Sequence, residues 1–561
     1  MLKKPVVLFF AAIFALFTIT CSKDNVIFPE NIIGCEPEEP GTHGSGTNGT
    51  ELDELWNQGS STENQEPNEP GEPVINYVSG PDAINWGISA NVDVQTLGLT
   101  PGNDTTEVYL NWYSKGTDTG KVAKVRFIRG KLTSGTELIE KDGSATAVGT
   151  AYTQHKAVVT GLKPGSSYQY AVSSDGNNWS IEYDFKVPAA GAFKFAVITD
   201  PQLTTSASST NKGKVDPNSR YPATSFTTTQ SWTETIQKVA DAGVSFIASC
   251  GDQVDGGSDE LEYTNFFTPP GLRELPLSPV MGNHDPLNKS VLFFNHFNIP
   301  NEQGSAADTS LGANYYYLYN NILFVVLNTS AYASSSNAAS YISRFKTTIR
   351  NAKTAHAGKY DWLIVQHHKS TASVGTHCAD TDLQSYVEAG FEKLMSDEKV
   401  DFIIAGHDHV YARSYPLQGM DGGKVSVADK TNNTNTFNNP GNPIYFTFNT
   451  ASGLKYYYIS ADKTFTFSGT VTSNTKYPYL GVDANGKPIY GSTEYKNGKL
   501  PDSNLAYSQP LIPSYTIVDV NGRTITFRTY PIASGSGTSP GASAPYSFDA
   551  DTPYDWVTVT K

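Results

Sequence analysis

Short apolar segments that lead into polar residues are the feature that most constrains the fold of this chain. From Phe193 onwards such β-type runs alternate with amphipathic stretches of helical spacing, such as Ser231–Ala242 and Gln384–Ser396. The runs are Phe193–Thr199, Val244–Cys250, Leu323–Asn328, Trp362–Gln366 and Phe402–Ala405. Buried strands that alternate with helices predict an α/β sheet, and such sheets build their sites at the carboxyl ends of the strands. The polar residues at these ends are therefore candidates for a functional site.

Five polar groups occur along this region, and they consist of residue types that bind metal ions. They are Asp200-Pro201-Gln202, Gly251-Asp252-Gln253-Val254-Asp255, Gly282-Asn283-His284-Asp285, His367-His368 and Gly406-His407-Asp408-His409. Carboxylate oxygens, an amide oxygen and several imidazoles suit divalent ions such as Mn, Fe or Zn. These donors outnumber the ligands that one four-coordinate ion requires. We therefore expect two ions, with Asp252 bridging them.

The rest of the chain predicts more than one domain. Between about 77 and 188, strand-like pieces alternate with turns that contain Gly and Pro, and about seven strands in such a length predict an all-β sandwich. The segment Gly161–Val172 resembles the late strands of a fibronectin type III domain. After Pro416 the sequence returns to β-type patterning. We therefore predict a fibronectin III-like sandwich at 77–188, followed by an α/β domain at 189–561 that C-terminal β-strands complete.

The N-terminus predicts export. Lys3 and Lys4 precede the apolar run Val6–Ile19, which suits the core of a signal peptide. Cys21 stands where a bacterial lipoprotein would be cleaved and lipidated. We therefore predict a signal peptide at 1–20 and an outer-membrane lipoprotein, periplasmic or cell-surface facing, that is bound to the membrane through a lipid on Cys21. Ordinary secretion is the alternative.

The segment after this signal predicts a tether rather than a folded domain. Between residues 30 and 73 there are eleven Asp or Glu residues and no Lys or Arg. Such a segment cannot bury enough apolar surface to offset the entropy that ordering removes. We therefore predict a disordered acidic tether at 21–76.

Charge and cysteine content exclude two further classes of protein. Asp and Glu number 55 against 40 Lys and Arg, which gives a net charge of −15. An acidic chain of this kind argues against coating nucleic acid, which requires a basic face. The four Cys are too few for a scaffold built on disulfides. A Cys250–Cys378 pair and the oligomeric state both stay open.

The five polar groups together resemble the signature of calcineurin-like metallophosphoesterases, and the layout from about 80 to 561 resembles purple acid phosphatases. Trp362–His368 is similar to the family's strand that ends in V-x-x-H, with His368 at the ligand position and His367 beside it. Gly406–Arg413 is similar to the family's last motif, G-H-x-H-x-Y-x-R. The resemblance implies a two-sheet β-sandwich flanked by helices, and the activity of a metal-dependent phosphoric ester hydrolase.

The resemblance also implies a role for each residue of the site. One ion would be bound by Asp200, Asp252 and His409, and the other by Asp252, Asn283, His368 and His407. His284 would hydrogen-bond the phosphate or protonate the leaving oxygen. His377 follows His368 by nine residues, where these phosphatases keep a histidine that contacts the substrate.

Two positions differ from purple acid phosphatases. Those enzymes have Tyr three residues after the bridging Asp, and its phenolate on ferric iron produces their colour, but this chain has Asp255 there. By similarity to other calcineurin-like enzymes, we predict that Asp255 orients His284. Those enzymes also place a His two residues after the first Asp, where this chain has Gln202. An amide oxygen is a weaker donor, acting directly or through water, so we expect weaker metal binding at the first site.

These features predict an exported phosphoesterase that hydrolyses small phosphomonoesters through attack by a hydroxide on two divalent ions. A phosphodiesterase or nucleotide hydrolase of the same fold is an alternative, because both would share the metal centre. A different class is a non-catalytic surface lipoprotein that binds glycans or mediates adhesion on a phosphatase scaffold. Loss of metal ligands would indicate that class.

Overall fold

The computed structural model of the chain describes residues 93–204, 228–457 and 479–561, with gaps inside each range. These residues belong to one unit that covers Ile75–Lys561. The predicted signal peptide, Cys21, the acidic tether and Cys378 lie outside the described residues. No helix among the described residues is long and apolar enough to cross a membrane.

Seven antiparallel strands form the N-terminal domain. They are β1 (Gln95–Pro101), β2 (Glu107–Lys115), β3 (Ala123–Arg129), β4 (Leu138–Val148), β5 (Tyr152–Thr160), β6 (Ser167–Ser173) and β7 (Tyr183–Lys186). Their order is β1-β2-β5-β4-β3-β6-β7, so β4 pairs with both β5 and β3. Val108, Leu110 and Trp112 alternate along β2 and enter the core of this β-sandwich.

The second domain contains the remaining strands. They are β8 (Phe193–Ile198), β9 (Ile247–Ser249), β10 (Leu277–Pro279), β11 (Tyr315–Tyr319), β12 (Ile322–Leu327), β13 (Trp362–Lys369), β14 (Phe402–Gly406), β15 (Tyr411–Asp421), β16 (Lys424–Val427), β17 (Thr436–Asn438), β18 (Ile444–Thr447), β19 (Tyr479–Val482), β20 (Pro488–Tyr490), β21 (Asn504–Ser508), β22 (Ser514–Asn521), β23 (Thr524–Pro531), β24 (Gly535–Gly537), β25 (Tyr546–Phe548) and β26 (Asp555–Thr560). Its helices are α1 (Thr228–Asp241), α2 (Glu260–Phe266), α3 (Leu292–His296), α4 (Ala338–Ala355), α5 (Thr381–Glu388) and α6 (Phe391–Asp397).

Two large sheets make up the body of this domain. The first has the order β10-β9-β8-β22-β23-β26-β17, and the second has the order β11-β12-β13-β14-β18-β15-β16. Both contain a parallel part, β8-β9-β10 in the first and β12-β13-β14-β18 in the second. One apolar core joins residues of both sheets, including Phe195, Ile247, Phe324 and Ile364. The parallel strands therefore bring their carboxyl ends to neighbouring edges.

Side-chain alternation along β13 decides what each of its residues contacts. Trp362 and Ile364 belong to the core between the sheets, whereas Leu363 and Val365 belong to a second core with residues of α4 and α6. Gln366 continues the first face and donates to the Ser249 carbonyl oxygen at 2.8 Å. This two-residue period places the next two residues, both histidines, on opposite faces.

C-terminal strands complete both sheets, as the sequence predicts. Strand β22 pairs antiparallel with β8, and β23 and β26 continue that sheet. Strand β21 pairs with β15 in the second sheet. The strand that precedes the first polar group is thus flanked by a strand more than three hundred residues later in the chain.

Side-chain hydrogen bonds connect the sandwich to α2, to α3 and to the residues just after α3. Lys156 on β5 donates to the Phe294 carbonyl oxygen at 2.8 Å, and the Tyr113 hydroxyl donates to Glu260 at 3.2 Å. Asn298 donates back to the Ala157 carbonyl oxygen at 3.2 Å. Specific hydrogen bonds thus connect the two domains.

Candidate metal centre

Four of the five polar groups directly follow parallel strands, and the structure brings all five together. Asp200 and Gln202 follow β8, Asp252 follows β9, and Asn283 follows β10. Strand β13 carries the histidine pair, and His407 and His409 follow β14. The seven side chains that sequence analysis predicts as ligands therefore lie at one end of the two sheets.

His368, Asp252 and Asn283 form one half of the cluster. His368 Nε2 lies 3.3 Å from Asp252 Oδ2 and 3.0 Å from Asn283 Oδ1. His407 joins this half, because its ring nitrogen lies within 4.8 Å of the ligand atoms of Asp252 and His368. His367 points to the other face of the sheet and packs its ring against Phe391, with centroids 5.0 Å apart. Of the two histidines, His368 is the one that enters the cluster.

Asp200, His409 and Gln202 form the other half. His409 Nε2 lies 3.3 Å from Asp200 Oδ1, and both side chains are buried. The Gln202 amide nitrogen donates to Asp252 Oδ2 at 3.1 Å. Asp252 therefore contacts residues of both halves and stands between them.

Backbone carbonyls fix the ring orientation of two histidines. His368 Nδ1 donates to the Cys250 carbonyl oxygen at 2.8 Å, and His409 Nδ1 donates to the Lys455 carbonyl oxygen at 2.7 Å. A histidine that donates through one ring nitrogen presents the other towards a metal ion. In both residues that second nitrogen is Nε2, and it faces the carboxylates.

Electrostatic effects on the cluster are strong. Burial raises the pKa of Asp252, but positive charge on His368 and His284 outweighs burial and holds that pKa well below its usual range. Burial lowers the pKa of His368, but the carboxylates of Asp252 and Asp200 raise it to about 9. Burial, together with His377 and His368, lowers the pKa of His407 well below its usual range. The buried carboxylates of Asp252 and Asp200 thus create a site that attracts positive charge, and burial favours the neutral form of His407.

The donor set fits divalent metal ions. Two ligands on one ion, each about 2.1 Å from it, lie about 3.0–3.4 Å apart at ordinary bond angles. The distances between His368 and Asn283, between His368 and Asp252, and between His409 and Asp200 are 3.0, 3.3 and 3.3 Å. Asp200 Oδ1 is buried and has no hydrogen-bond partner among the described residues. A buried carboxylate oxygen that lacks a hydrogen-bond partner destabilises the folded protein unless a metal ion binds it.

Backbone strain is concentrated at the same residues. Five of them adopt a left-handed backbone conformation that non-glycine residues rarely take: Asp200 (φ 48°), Gln202 (40°), Asp252 (51°), His407 (76°) and His409 (45°). Such strain occurs at functional sites, where the surrounding structure holds it in place. Gly251 has a φ of 106°, and a side chain there would collide with the His368 ring. The loops are therefore shaped to aim these side chains inwards.

His284 lies beside the cluster and contacts Asp255. Its Nδ1 donates to the Asp255 carbonyl oxygen at 2.7 Å and lies 3.3 Å from Asp255 Oδ1. The His284 amide also donates to Asp252 Oδ1 at 2.9 Å. Asp255 therefore contacts the His284 ring through its backbone carbonyl as well as its carboxylate, and both contacts leave His284 Nε2 directed away from Asp255.

His377 approaches from a different loop. Its ring lies 4.5 Å from that of His407, and its Nδ1 donates to Asp380 Oδ2 at 2.7 Å. Burial lowers its pKa, but Asp380 and Asp408 outweigh burial and raise it above the usual value. The His377 amide donates to Asp408 Oδ1 at 2.8 Å. Asp408 therefore connects this loop to the last polar group.

Sequence analysis missed two residues of the site, Lys455 and Tyr457. Both lie in the loop after β18, which is the fourth strand of the parallel part of the second sheet. Lys455 Nζ lies 3.5 Å from His284 Nε2. The Tyr457 ring contacts the rings of His377 and His409, with centroids 4.8 and 4.9 Å apart. No local pattern indicates either residue, because both lie well past the end of β18 and reach the site only through the packing of their loop against the backbone around Asp200.

Comparison with known protein families agrees with this geometry. The model of the purple acid phosphatase N-terminal domain matches residues 94–187, and that of the calcineurin-like phosphoesterase matches residues 193–411. These are the domains of a metal-dependent phosphoester hydrolase. The first match is the sandwich, and the second contains all the predicted metal ligands.

A solved structure supports the same fold. Purple acid phosphatase from seeds of yellow lupin (Lupinus luteus) is 13% identical and matches 84% of this chain and 74% of its own, with a TM-score of 0.55. GAP50, the anchor in the inner membrane complex of Plasmodium, is 14% identical over 65% of this chain and 90% of its own. Its TM-score of 0.33 is too low to support an argument. No curated protein matches the sequence.

Proposed function

We propose that this phosphoester hydrolase is an exported phosphomonoesterase that acts on small phosphate esters with two divalent ions, of Fe, Mn or Zn. The single observation that carries the proposal is the position of Asp252 between two groups of buried donors. Its carboxylate lies 3.3 Å from His368 Nε2 and 3.1 Å from the Gln202 amide nitrogen. A carboxylate in this position suits a bridging ligand.

We assign the ligands from the two halves of the cluster. Asp200, Asp252 and His409 would hold the first ion, with Gln202 as a weak further donor. Asp252 would share the second ion with residues of the other half, Asn283, His368 and His407. Bound ions of this kind polarise the phosphoryl group and activate water.

The chain's own residues position the substrate and transfer protons. His284 Nε2 would donate a proton to the leaving oxygen or a hydrogen bond to the phosphate, while Asp255 holds the ring through Nδ1. His377, held by Asp380, would donate to a phosphate oxygen from the other side. Donors fixed in advance by their partners stabilise developing charge without reorganising during the reaction.

The test of the proposal combines metal analysis with two substrates. We expect purified protein to bind about two equivalents of divalent metal and to hydrolyse a chromogenic phosphomonoester faster than the matching diester. A preference for the diester would favour the phosphodiesterase alternative. A protein that binds no metal and hydrolyses neither would favour the adhesion alternative, although the intact ligand set argues against it.

The sandwich supports a fibronectin type III-like assignment through its strand order. Strands β1, β2 and β5 pair together, β3, β6 and β7 pair together, and β4 connects the two groups. This arrangement of seven strands is compatible with that architecture. We propose that the sandwich supports the catalytic domain, to which it is hydrogen-bonded.

We further propose that the chain is exported and anchored to the outer membrane through Cys21, with the acidic segment as its tether. The support is the charged and apolar N-terminus, followed by a Cys at the cleavage position. Cys21→Ala should release the protein from membranes or block its maturation. A wild-type protein that is found free in the medium and begins elsewhere would instead support secretion.

A further inference from the structure

The loop that follows β18 is hydrogen-bonded to the first metal-binding loop. Thr450 Oγ1 donates to the Asp200 carbonyl oxygen at 2.7 Å, and the Ala451 amide donates to the Thr199 carbonyl oxygen at 2.9 Å. Ser452 Oγ donates to the Pro201 carbonyl oxygen. Three consecutive residues thus fix this loop against the backbone that carries Asp200.

The same loop brings Lys455 to the metal centre by two routes. Its carbonyl oxygen accepts the Nδ1 hydrogen of His409 at 2.7 Å, which orients a predicted metal ligand. Its side chain extends to His284, with 3.5 Å between Nζ and Nε2. Lys455 is 4% exposed, so the side chain is held within the site rather than in solvent.

Lys455 stands among the residues expected to meet the phosphate. Its Nζ lies 5.6 Å from the centre of the Tyr457 ring, and that ring contacts His377. Lys455 therefore lies close to His284 and beside the Tyr457 ring that contacts His377.

A lysine at this position suits a phosphate that carries more than one charge. A phosphate monoester has about −1.5 to −2 charges at neutral pH, with three terminal oxygens. A diester has one negative charge and two terminal oxygens. A further fixed cation in a site shielded from water therefore favours the monoester more than the diester.

We propose that Lys455 is a substrate-binding residue that contacts a terminal phosphate oxygen and gives the site its preference for dianionic monoesters. This inference rests on the proposed function and names the residue that selects its substrate class. His284 and His377 would contact the phosphate of either ester. The charge of Lys455 would distinguish the monoester from the diester.

The test uses Lys455→Met, which removes the charge but keeps most of the side-chain length and the backbone carbonyl that His409 requires. We expect kcat/KM for a chromogenic monoester to fall about 100-fold or more, and that for the matching diester to fall less than about 10-fold. Metal content should not change. Lys455→Arg should keep the preference for the monoester, because it keeps the charge.

A second readout does not depend on turnover. Calorimetric titration with inorganic phosphate should show about 10-fold to 100-fold weaker binding to metal-loaded Lys455→Met than to wild type. Lys346→Met, an exposed lysine on α4, is the matched control and should leave phosphate binding unchanged. If wild type hydrolyses neither ester, the proposed function fails, but phosphate titration still tests Lys455.

Two results would overturn the inference. Equal losses on both esters, with metal lost as well, would show that Lys455 only supports the fold of the loop. Unchanged phosphate affinity in a folded Lys455→Met protein would show that the lysine does not contact the phosphate. If Lys455→Met does not fold, a loss of monoester preference in folded Lys455→Arg would count against the inference in the same way.

Discussion

The guanidinium of Arg413 donates to the carboxylate of Asp555 through two nitrogens, at 2.7 and 3.0 Å, and both side chains are fully buried. Arg413 lies on β15 in the second sheet, and Asp555 begins β26 in the first. The Tyr411 hydroxyl donates to the same carboxylate. The segment Gly406–Arg413 thus connects the loop that carries His407 and His409 to the C-terminal strand of the opposite sheet.

Breaking this ion pair should destabilise the protein strongly. Arg413→Met leaves the Asp555 charge buried without its partner, so the free energy of unfolding should fall by about 3–5 kcal/mol. Unfolding in urea, followed by tryptophan fluorescence, measures the effect. Arg350 pairs with Glu398 but is 60% exposed, so Arg350→Met should cost less than about 1 kcal/mol. Similar costs for the two substitutions would contradict the structural role of the buried pair.

Removing the charge of Asp252 should weaken metal binding at both positions. Asp252→Asn keeps the shape of the side chain but takes a negative charge from the residue that contacts both halves of the cluster. We expect metal content to fall by more than half and kcat to fall about 1,000-fold or more. Elemental analysis and the monoester assay measure these effects. Asp142→Asn, at a residue that is 71% exposed, is the control. Near-wild-type turnover of Asp252→Asn would refute the ligand assignment.

The purified protein should be colourless. A tyrosine is needed for the phenolate band of purple acid phosphatases, and Asp255 occupies that position while it contacts His284 at 3.3 Å. Gln202→His should raise the affinity of the first site by about tenfold or more, because imidazole is a stronger donor to divalent ions than an amide. Competition with a chromogenic chelator measures that affinity. A visible charge-transfer band in the wild-type protein would contradict this prediction.

Glu392 should make stability depend on pH. It is buried on α6, and burial raises its pKa from 4.5 to about 7. Neither carboxylate oxygen has a hydrogen-bond partner among the described residues. Because the folded state holds this proton more tightly than the unfolded state, its contribution to stability is complete below pH 4.5 and is lost as the pH rises to about 7.

Substitution by Gln isolates that effect. A difference of one pKa unit is worth about 1.4 kcal/mol. As the pH rises from 4.5 to 8, the free energy of unfolding of Glu392→Gln should therefore increase by about 3 kcal/mol relative to that of wild type. Urea unfolding of both proteins at each pH measures the difference. Glu388→Gln, at an exposed residue that ends α5, should show no such gain. A constant difference between Glu392→Gln and wild type across this range would disprove the assignment.

Local sequence predicts those parts of the site that strand periodicity and short motifs determine. Asp200, Asp252, His368, His407 and His409 lie at the ends of predicted apolar runs, so their meeting at one edge could be expected. The two-residue period of β13 also separates His367 from His368. These features depend on residues that are close in the sequence.

Lys455 and Tyr457 could not be placed in the same way. Their loop reaches the site because Thr450 and Ser452 bond to the backbone around Asp200, about 250 residues earlier. Asp380 is a similar case, because its contact with His377 depends on how a loop turns rather than on a repeated pattern. Such contacts arise from tertiary structure, and a single sequence carries no local signal for them.

The pairing of β8 with β22 also has a consequence for how the protein is made. The strand that delivers Asp200 is hydrogen-bonded on one side to residues 514–521. During synthesis, that side stays open until the ribosome has added more than three hundred further residues. Contacts between such distant segments form slowly, because a long loop must close first. The first sheet therefore cannot be completed around β8 until most of the chain has been synthesised.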